Sequence, residues 1–218
     1  MRHPWAFAIA FGLLVIPAIR PCMRAVPPPP PVLGQLPDRA FVDEDGAPLG
    51  PRELRGRVWI MGTFYTRCQE GCTKTLDALD ALDRRFRTHK IPVAVIGLTV
   101  DPEHDTPARL KAFAERSGRG TSWRLVTDPA PAGLRAFVAD GLRMKIGAPR
   151  VGPHGRVSVA RSEKLVLIDA RGGIRGYYGA GRDGVDEVFH RAQHVLAEAR
   201  ERGDVGPPPS RTGGAGSP

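Results

Sequence analysis

Residues 58–86 read VWIMGTFYTRCQEGCTKTLDALDALDRRF, and this stretch decides the fold. Val58–Tyr65 is a continuous apolar run, the pattern of a strand buried on both faces. From Thr73 to about Arg87 the apolar residues are Leu76, Leu79, Leu82 and Phe86, which is helical spacing. Between strand and helix stand Cys68 and Cys72, with three residues separating them. A loop at the carboxyl end of a central strand is where α/β folds place their sites. A helix N-terminus favours a thiolate through its partial positive charge. Gly71 lets the intervening loop bend.

Outward from this unit the pattern alternates. Val93–Val100, VAVIGLTV, is a second buried strand. DTPARLKAFAERSG predicts a helix capped by Asp105 or Thr106, with Pro107 in its first turn and Gly118 at its end. SWRLVTD predicts a short strand and PAGLRAFVADG a short helix. KLVLIDARGGIRGYYG reads as two antiparallel strands around Arg171-Gly172-Gly173, and Asp183 to about Arg202 as a closing helix. Upstream, AFVDEDGAPLG predicts a hairpin turning at Asp45-Gly46. The order predicts an α/β, thioredoxin-like sandwich: a central mixed sheet flanked by helices, with an N-terminal hairpin. This domain is expected over residues 34–202.

The chain of 218 residues is long enough for one such domain plus extensions. It begins MRHPWAFAIAFGLLVIPAIRP, a short basic end before a mostly apolar run from Pro4 to Ile19. That pattern predicts a signal or membrane anchor over residues 1–25, and hence export to the periplasmic face of a membrane, with the segment cleaved or retained. The run is short for a full span of about 20 residues. A Pro-rich linker is expected over 26–33, where Pro27 to Pro31 form a stiff extended spacer. Residues 203–218 are rich in Gly, Pro and Ser and predict a disordered tail. The formal charge is +9, of which +6 falls between residues 32 and 200. This mild excess suits an anionic membrane surface or an acidic partner, and no basic cluster alternates with aromatics as nucleic-acid binding would need.

Two thiols at this spacing have three uses. They can form a dithiol–disulfide couple, supply two soft ligands for Cu(I) or Zn, or make an inert bridge. An exported chain sits in an oxidising compartment, where a close pair is redox-active or bridged. A bridge closing so small a loop removes little chain entropy. A peroxidase on the same fold would need Thr-x-x-Cys, and Thr66-Arg67-Cys68 has a different spacing.

The chain resembles the SCO/SenC family of copper-handling proteins. The resemblance rests on the N-terminal apolar segment, the strand–Cys-x-x-x-Cys–helix at 58–87, LTVDPEHDTPARLKAF at 98–113, and the closing LVLIDARGGIRGYYG. It covers about residues 34–200. It implies a thioredoxin fold outside the cytoplasm, tethered by its N-terminus and assembling the copper site of cytochrome c oxidase. Copper is then held by both cysteines and one histidine, or the cysteines reduce the target's disulfide. The implied partners are the oxidase's copper-site subunit or another exported dithiol protein, and the membrane. Cys68 and Cys72 match the family's thiol ligands. Cys68, which precedes the helix, is the expected attacking thiol.

The match breaks at the third ligand. Arg161 occupies the family's histidine position, with Ala160 where an acid usually stands. Gln69 and Thr73 replace the prolines that follow each cysteine in the family. A guanidinium donates only and cannot ligate copper. His154, seven residues earlier in a glycine-rich loop, is a candidate replacement ligand. Arg161 reads either as a stabiliser of a nearby thiolate, suited to a thiol–disulfide oxidoreductase, or as a surface charge paired with Glu163 or with nothing. His104 precedes a helix, His190 and His194 stand i, i+4 on the last helix, and His89 reads as a helix-end residue. Asp101 reads as a loop acceptor and Asp105 as a helix cap.

Overall fold

The computed structural model describes residues 28–68, 73–120, 122–152 and 157–205. Its centre is a sheet of seven strands: β1 (Gly34–Gln35), β2 (Val42–Asp43), β3 (Val58–Phe64), β4 (Val93–Thr99), β5 (Arg124–Thr127), β8 (Lys164–Ile168) and β9 (Gly173–Gly179). Their spatial order is β1-β9-β8-β3-β4-β5-β2. Strands β3, β4 and β5 run parallel, while β8, β9, β1 and β2 join antiparallel. A separate two-stranded ladder pairs β6 (Ile146–Val151) with β7 (Val157–Arg161). The helices are α1 (Thr73–Thr88), α2 (Pro107–Ser117), α3 (Leu134–Ala136), which runs into a π-helical turn at Phe137–Gly141, and α4 (Arg182–Glu201).

Every residue of β3 is buried, as the unbroken apolar run requires. Alternate residues serve two cores. Val58, Ile60 and Phe64 face α1 and α4, against Leu79, Leu82, Val188 and Ala192. Trp59 and Met61 face the other layer, against Phe41, Ile96, Leu98, Phe137 and Leu142. The mixed sheet flanked by helices is the architecture expected from the strand–helix alternation. The Asp45-Gly46 turn also forms, with Gly46 at φ +82° and its N–H donating to the Asp43 carbonyl at 2.9 Å. The strand it closes is short and pairs with β5. Gly118 ends α2 in the left-handed conformation.

Gly62 sets how closely α1 approaches the sheet. A Cβ there would lie 2.7 Å from Thr75 Cγ2 and 3.3 Å from Leu79 Cδ1. The first turn of α1 can therefore lie directly on β3 only because this position is glycine.

Behind the sheet, Arg175 is almost fully buried. It donates to Asp169 at 3.1 Å, to Glu198 on α4 at 2.5 Å, and to the Pro30 carbonyl at 2.7 Å. Asp169 also accepts from the N–H groups of Arg171 and Gly173, which fixes the β8–β9 turn. Leu33 N–H donates to the Ile174 carbonyl at 2.8 Å. The described end of the proline run is thus fastened along β9. No helix among the described residues is long and apolar enough to cross a membrane, and the N-terminal run at 1–25 and the tail from 206 lie outside them.

Two outcomes follow from these packing constraints. Gly62→Ala should destabilise by about 1–3 kcal/mol, since α1 must lift or Thr75 must leave its rotamer. Urea unfolding with an unchanged m-value measures this, and full wild-type stability would refute the close-approach account. Arg175→Ala should cost about 3–5 kcal/mol, because it strands Asp169 and Glu198 without their common partner. A loss under about 1 kcal/mol in the same assay would mean that the network is replaceable.

Candidate dithiol site at the end of the central strand

Cys68 lies four residues beyond the end of β3, and α1 begins at Thr73. Cys72 and His154 lie outside the described residues. Cys68 is disulfide-bonded. Its partner also lies outside the described residues, as do both other cysteines, Cys22 and Cys72. Cys68 is partly buried and packs, as Ile146 does, against the cluster of Tyr65, Val100 and Val159. This apolar nest joins the end of β3, the end of β4 and the β6–β7 ladder. The Val159 N–H donates to the Tyr65 hydroxyl at 3.4 Å, tying ladder to strand.

The residues just before Cys68 are clamped by two carboxylates from the β4–α2 loop. Asp105 is fully buried. It accepts from the Thr66 N–H at 3.0 Å, from the Thr66 hydroxyl, and from the Thr99 hydroxyl at 2.5 Å. Asp101 accepts from Arg67, at 2.9 Å to Nε and 2.7 Å to Nη2. A buried carboxylate is tolerated only when its lone pairs are filled, and here three donors fill those of Asp105. Asp105 is therefore not the cap of α2. Thr106 holds that position, with no side-chain cap bond, and Pro107 follows. The Asp105 side chain is committed instead to the cysteine loop. Asp101 is a loop acceptor, as expected, and its donor is Arg67.

Arg161 turns inward from the end of β7. It donates to the Thr75 hydroxyl in the first turn of α1 at 3.3 Å. Its guanidinium carbon lies 6.0 Å from the centre of the Tyr65 ring, on the residue that also packs Cys68. Its Nε is buried and has no hydrogen-bond partner among the described residues. Burial pushes the guanidinium below its usual pKa, against the opposing pull of Glu163. Glu163 does not pair with Arg161 directly; its partner is Lys74, at 3.4 Å. The structure thus brings Arg161 to Thr75 and to the Tyr65 ring, and Tyr65 belongs to the apolar nest against which Cys68 packs. A cation there can offset negative charge on sulfur.

The other histidines lie elsewhere. His104 Nδ1 is 2.7 Å from Arg109, at the exposed start of α2. His190 and His194 line a groove between α1 and α4, with His190 3.9 Å from Asp186. His89 closes α1, its ring 5.6 Å from that of Phe189. Among the described residues no three His, Cys, Asp or Glu side chains are grouped to hold a metal ion. Reading the sequence did not single out Tyr65, Thr75 or Thr99, and weighed Thr66 and Arg67 only against a peroxidase motif. The one available signal was the Asp-x-x-x-Asp spacing of 101 and 105, whose acceptors had to find donors somewhere.

Comparison with known proteins places the chain in a family. The family model described as SCO1/SenC matches residues 37–197. The SCO1 protein homolog of Bacillus subtilis is 23% identical over 151 residues, covering 68% of this chain and 76% of the relative. The structure of Bradyrhizobium japonicum ScoI with copper bound superposes with a TM-score of 0.64 at 21% identity, covering 75% of this chain and 100% of that one. BsSco, described as a member of the Sco family of cytochrome c oxidase assembly proteins with a disulfide switch, gives 0.64 at 22% identity, covering 77% and 97%. With the family model spanning residues 37–197, from before β2 through most of α4 and across the cysteine loop, the chain belongs to the SCO1/SenC family.

Proposed function

We propose that this chain serves the assembly of a respiratory copper site, that of cytochrome c oxidase, through Cys68 and Cys72. In this reading its N-terminal segment is the signal or membrane anchor, residues 26–33 are the linker, and the domain works on the periplasmic face of the membrane. The observation that carries the reading is the placement of Cys68. It sits at the carboxyl end of the central strand, on a loop held from behind by Asp101 and Asp105, and it is already disulfide-bonded. The family supports it, since a relative of the same fold holds copper and another is an oxidase assembly protein.

Copper is cargo here. Reduced thiolates at 68 and 72 are soft ligands suited to Cu(I). Arg161 supplies no lone pair, so a third ligand must come from elsewhere in the chain, and His154 is the candidate.

The inward turn of Arg161 favours a second reading, a thiol–disulfide oxidoreductase that has lost copper binding. In that reaction one thiolate of the pair attacks a disulfide on the partner, forming a mixed disulfide and releasing one partner thiolate. The second cysteine then attacks the mixed disulfide. The partner leaves with both thiols reduced, and the Cys68–Cys72 pair leaves oxidised by the same two electrons. In this reading Arg161 acts as a fixed positive charge that raises the thiolate fraction available for the first attack.

Anaerobic Cu(I) titration of the reduced protein against a competing chelator separates the two. A carrier should bind one copper per chain, lose it in Cys68→Ser and Cys72→Ser, and hold it at least about tenfold more weakly in His154→Ala. Absence of binding beyond the chelator's share would overturn the carrier reading. For the exchange reading, Arg161→Ala should move the pH midpoint of thiol alkylation upward, and Arg161→Lys should restore part of the shift. An unchanged midpoint in Arg161→Ala would remove Arg161 from the chemistry.

A further inference from the structure

The chain's positive charge is concentrated in one place. Residues 135–161 carry Arg135, Arg143, Lys145, Arg150, Arg156 and Arg161, against the single acid Asp140. Arg135, Arg143, Lys145 and Arg150 are exposed. Several cations elsewhere are paired with carboxylates. Arg124 is held by Glu44 and Asp45, and Arg119 by Asp77 and Asp80. In the 135–161 stretch the described cations meet no carboxylate within ion-pair distance. Arg135 donates to the Gly147 carbonyl at 2.6 Å and Arg143 to the Leu33 carbonyl at 3.0 Å.

These cations ride on the β6–β7 ladder and its approaches. Most of β6 is exposed, and Val151 beside Arg150 is 74% exposed, the largest value among the described large apolar side chains outside the core. The base of the same ladder is a wall of the cysteine nest, through Ile146 and Val159. The ladder therefore borders the nest that holds Cys68.

We propose that the β6–β7 ladder, with Arg135, Lys145 and Arg150, is a docking surface for an acidic polypeptide: the acidic rim of the protein whose thiols or copper site Cys68 and Cys72 serve. The identity of that partner rests on the function proposed above. A protein is favoured over a lipid surface because the patch is continuous with the cysteine nest, and a lipid headgroup offers neither a disulfide nor a copper ligand. Nucleic acid is disfavoured, since the only aromatic residue in 135–161 is Phe137, which is buried in the core. Rim charges of this kind steer encounter and fix orientation, and salt screens them.

The test is fluorescence anisotropy of a labelled poly-L-glutamate peptide with the full chain in nonionic detergent. Arg135→Glu/Lys145→Glu/Arg150→Glu should weaken binding by about tenfold or more. Arg52→Glu/Arg84→Glu/Arg116→Glu makes the same change in net charge at exposed positions away from the ladder, and should weaken it less than about threefold. Raising NaCl should abolish the difference between the two. Lys145→Glu/Arg150→Glu is the second variant, since it spares the Arg135–Gly147 bond. Equal losses in the two triple variants would overturn the proposal, because net charge alone would then explain binding. It would also be overturned if the ladder variants lost binding to phosphatidylglycerol vesicles while poly-L-glutamate binding stayed intact. Cys68→Ser/Cys72→Ser should bind the peptide like wild type, so this result stands or falls apart from the copper and exchange assays.

Discussion

A single buried carboxylate holds the working end of this molecule together. Asp105 stands in the loop after β4 and takes its hydrogens from Thr99, the last residue of β4, and from Thr66, just beyond β3. An anion without solvent must be fully satisfied or be expelled. The ends of two parallel strands are consequently fixed to one point, and the cysteine loop leaves from a base that cannot drift. The Arg67–Asp101 pair repeats the arrangement one residue nearer to Cys68, at the solvent edge. Gly62 completes the frame from the other side, by admitting the first turn of α1 onto the strand.

The parts legible in the sequence were those whose signal is local. The runs at β3 and β4 announced burial on both faces, and the Leu/Phe spacing of α1 announced its inner side. Asp105 was misread for a physical reason: an acid before Thr-Pro at a helix start has the composition of a cap, and the sequence does not reveal that donors from two strands compete for it. The β6–β7 ladder left no readable trace. Its strands carry Gly147 and Pro149, and β6 is mostly exposed, so no alternation marks it. The two residues of β1 are too few to form a pattern. The position of Arg161 was plain, while its turn toward Thr75 depends on a ladder that the sequence did not reveal.

That ladder joins the site's two kinds of chemistry. Its inner residues, Ile146 and Val159, belong to the apolar nest that also holds Cys68, and Arg161 at its end reaches Thr75 and the Tyr65 ring of that nest. Its outer residues hold charge away from any carboxylate. One short hairpin thus sets the polarity of the site and the character of the approach to it.

The grip of Arg175 on Pro30 has a mechanical meaning. A chain fastened to the body it enters has no swivel at the point of attachment. Because the Pro30 carbonyl, Asp169 and Glu198 share one guanidinium, whatever precedes Pro30 pulls on β9 and α4 together and not on a loose end. Under the tethering proposed above, the direction in which Cys68 points is fixed relative to Pro30. Such an arrangement samples fewer orientations than a ball on a string, which raises the effective concentration of the site toward a target within reach and lowers it elsewhere.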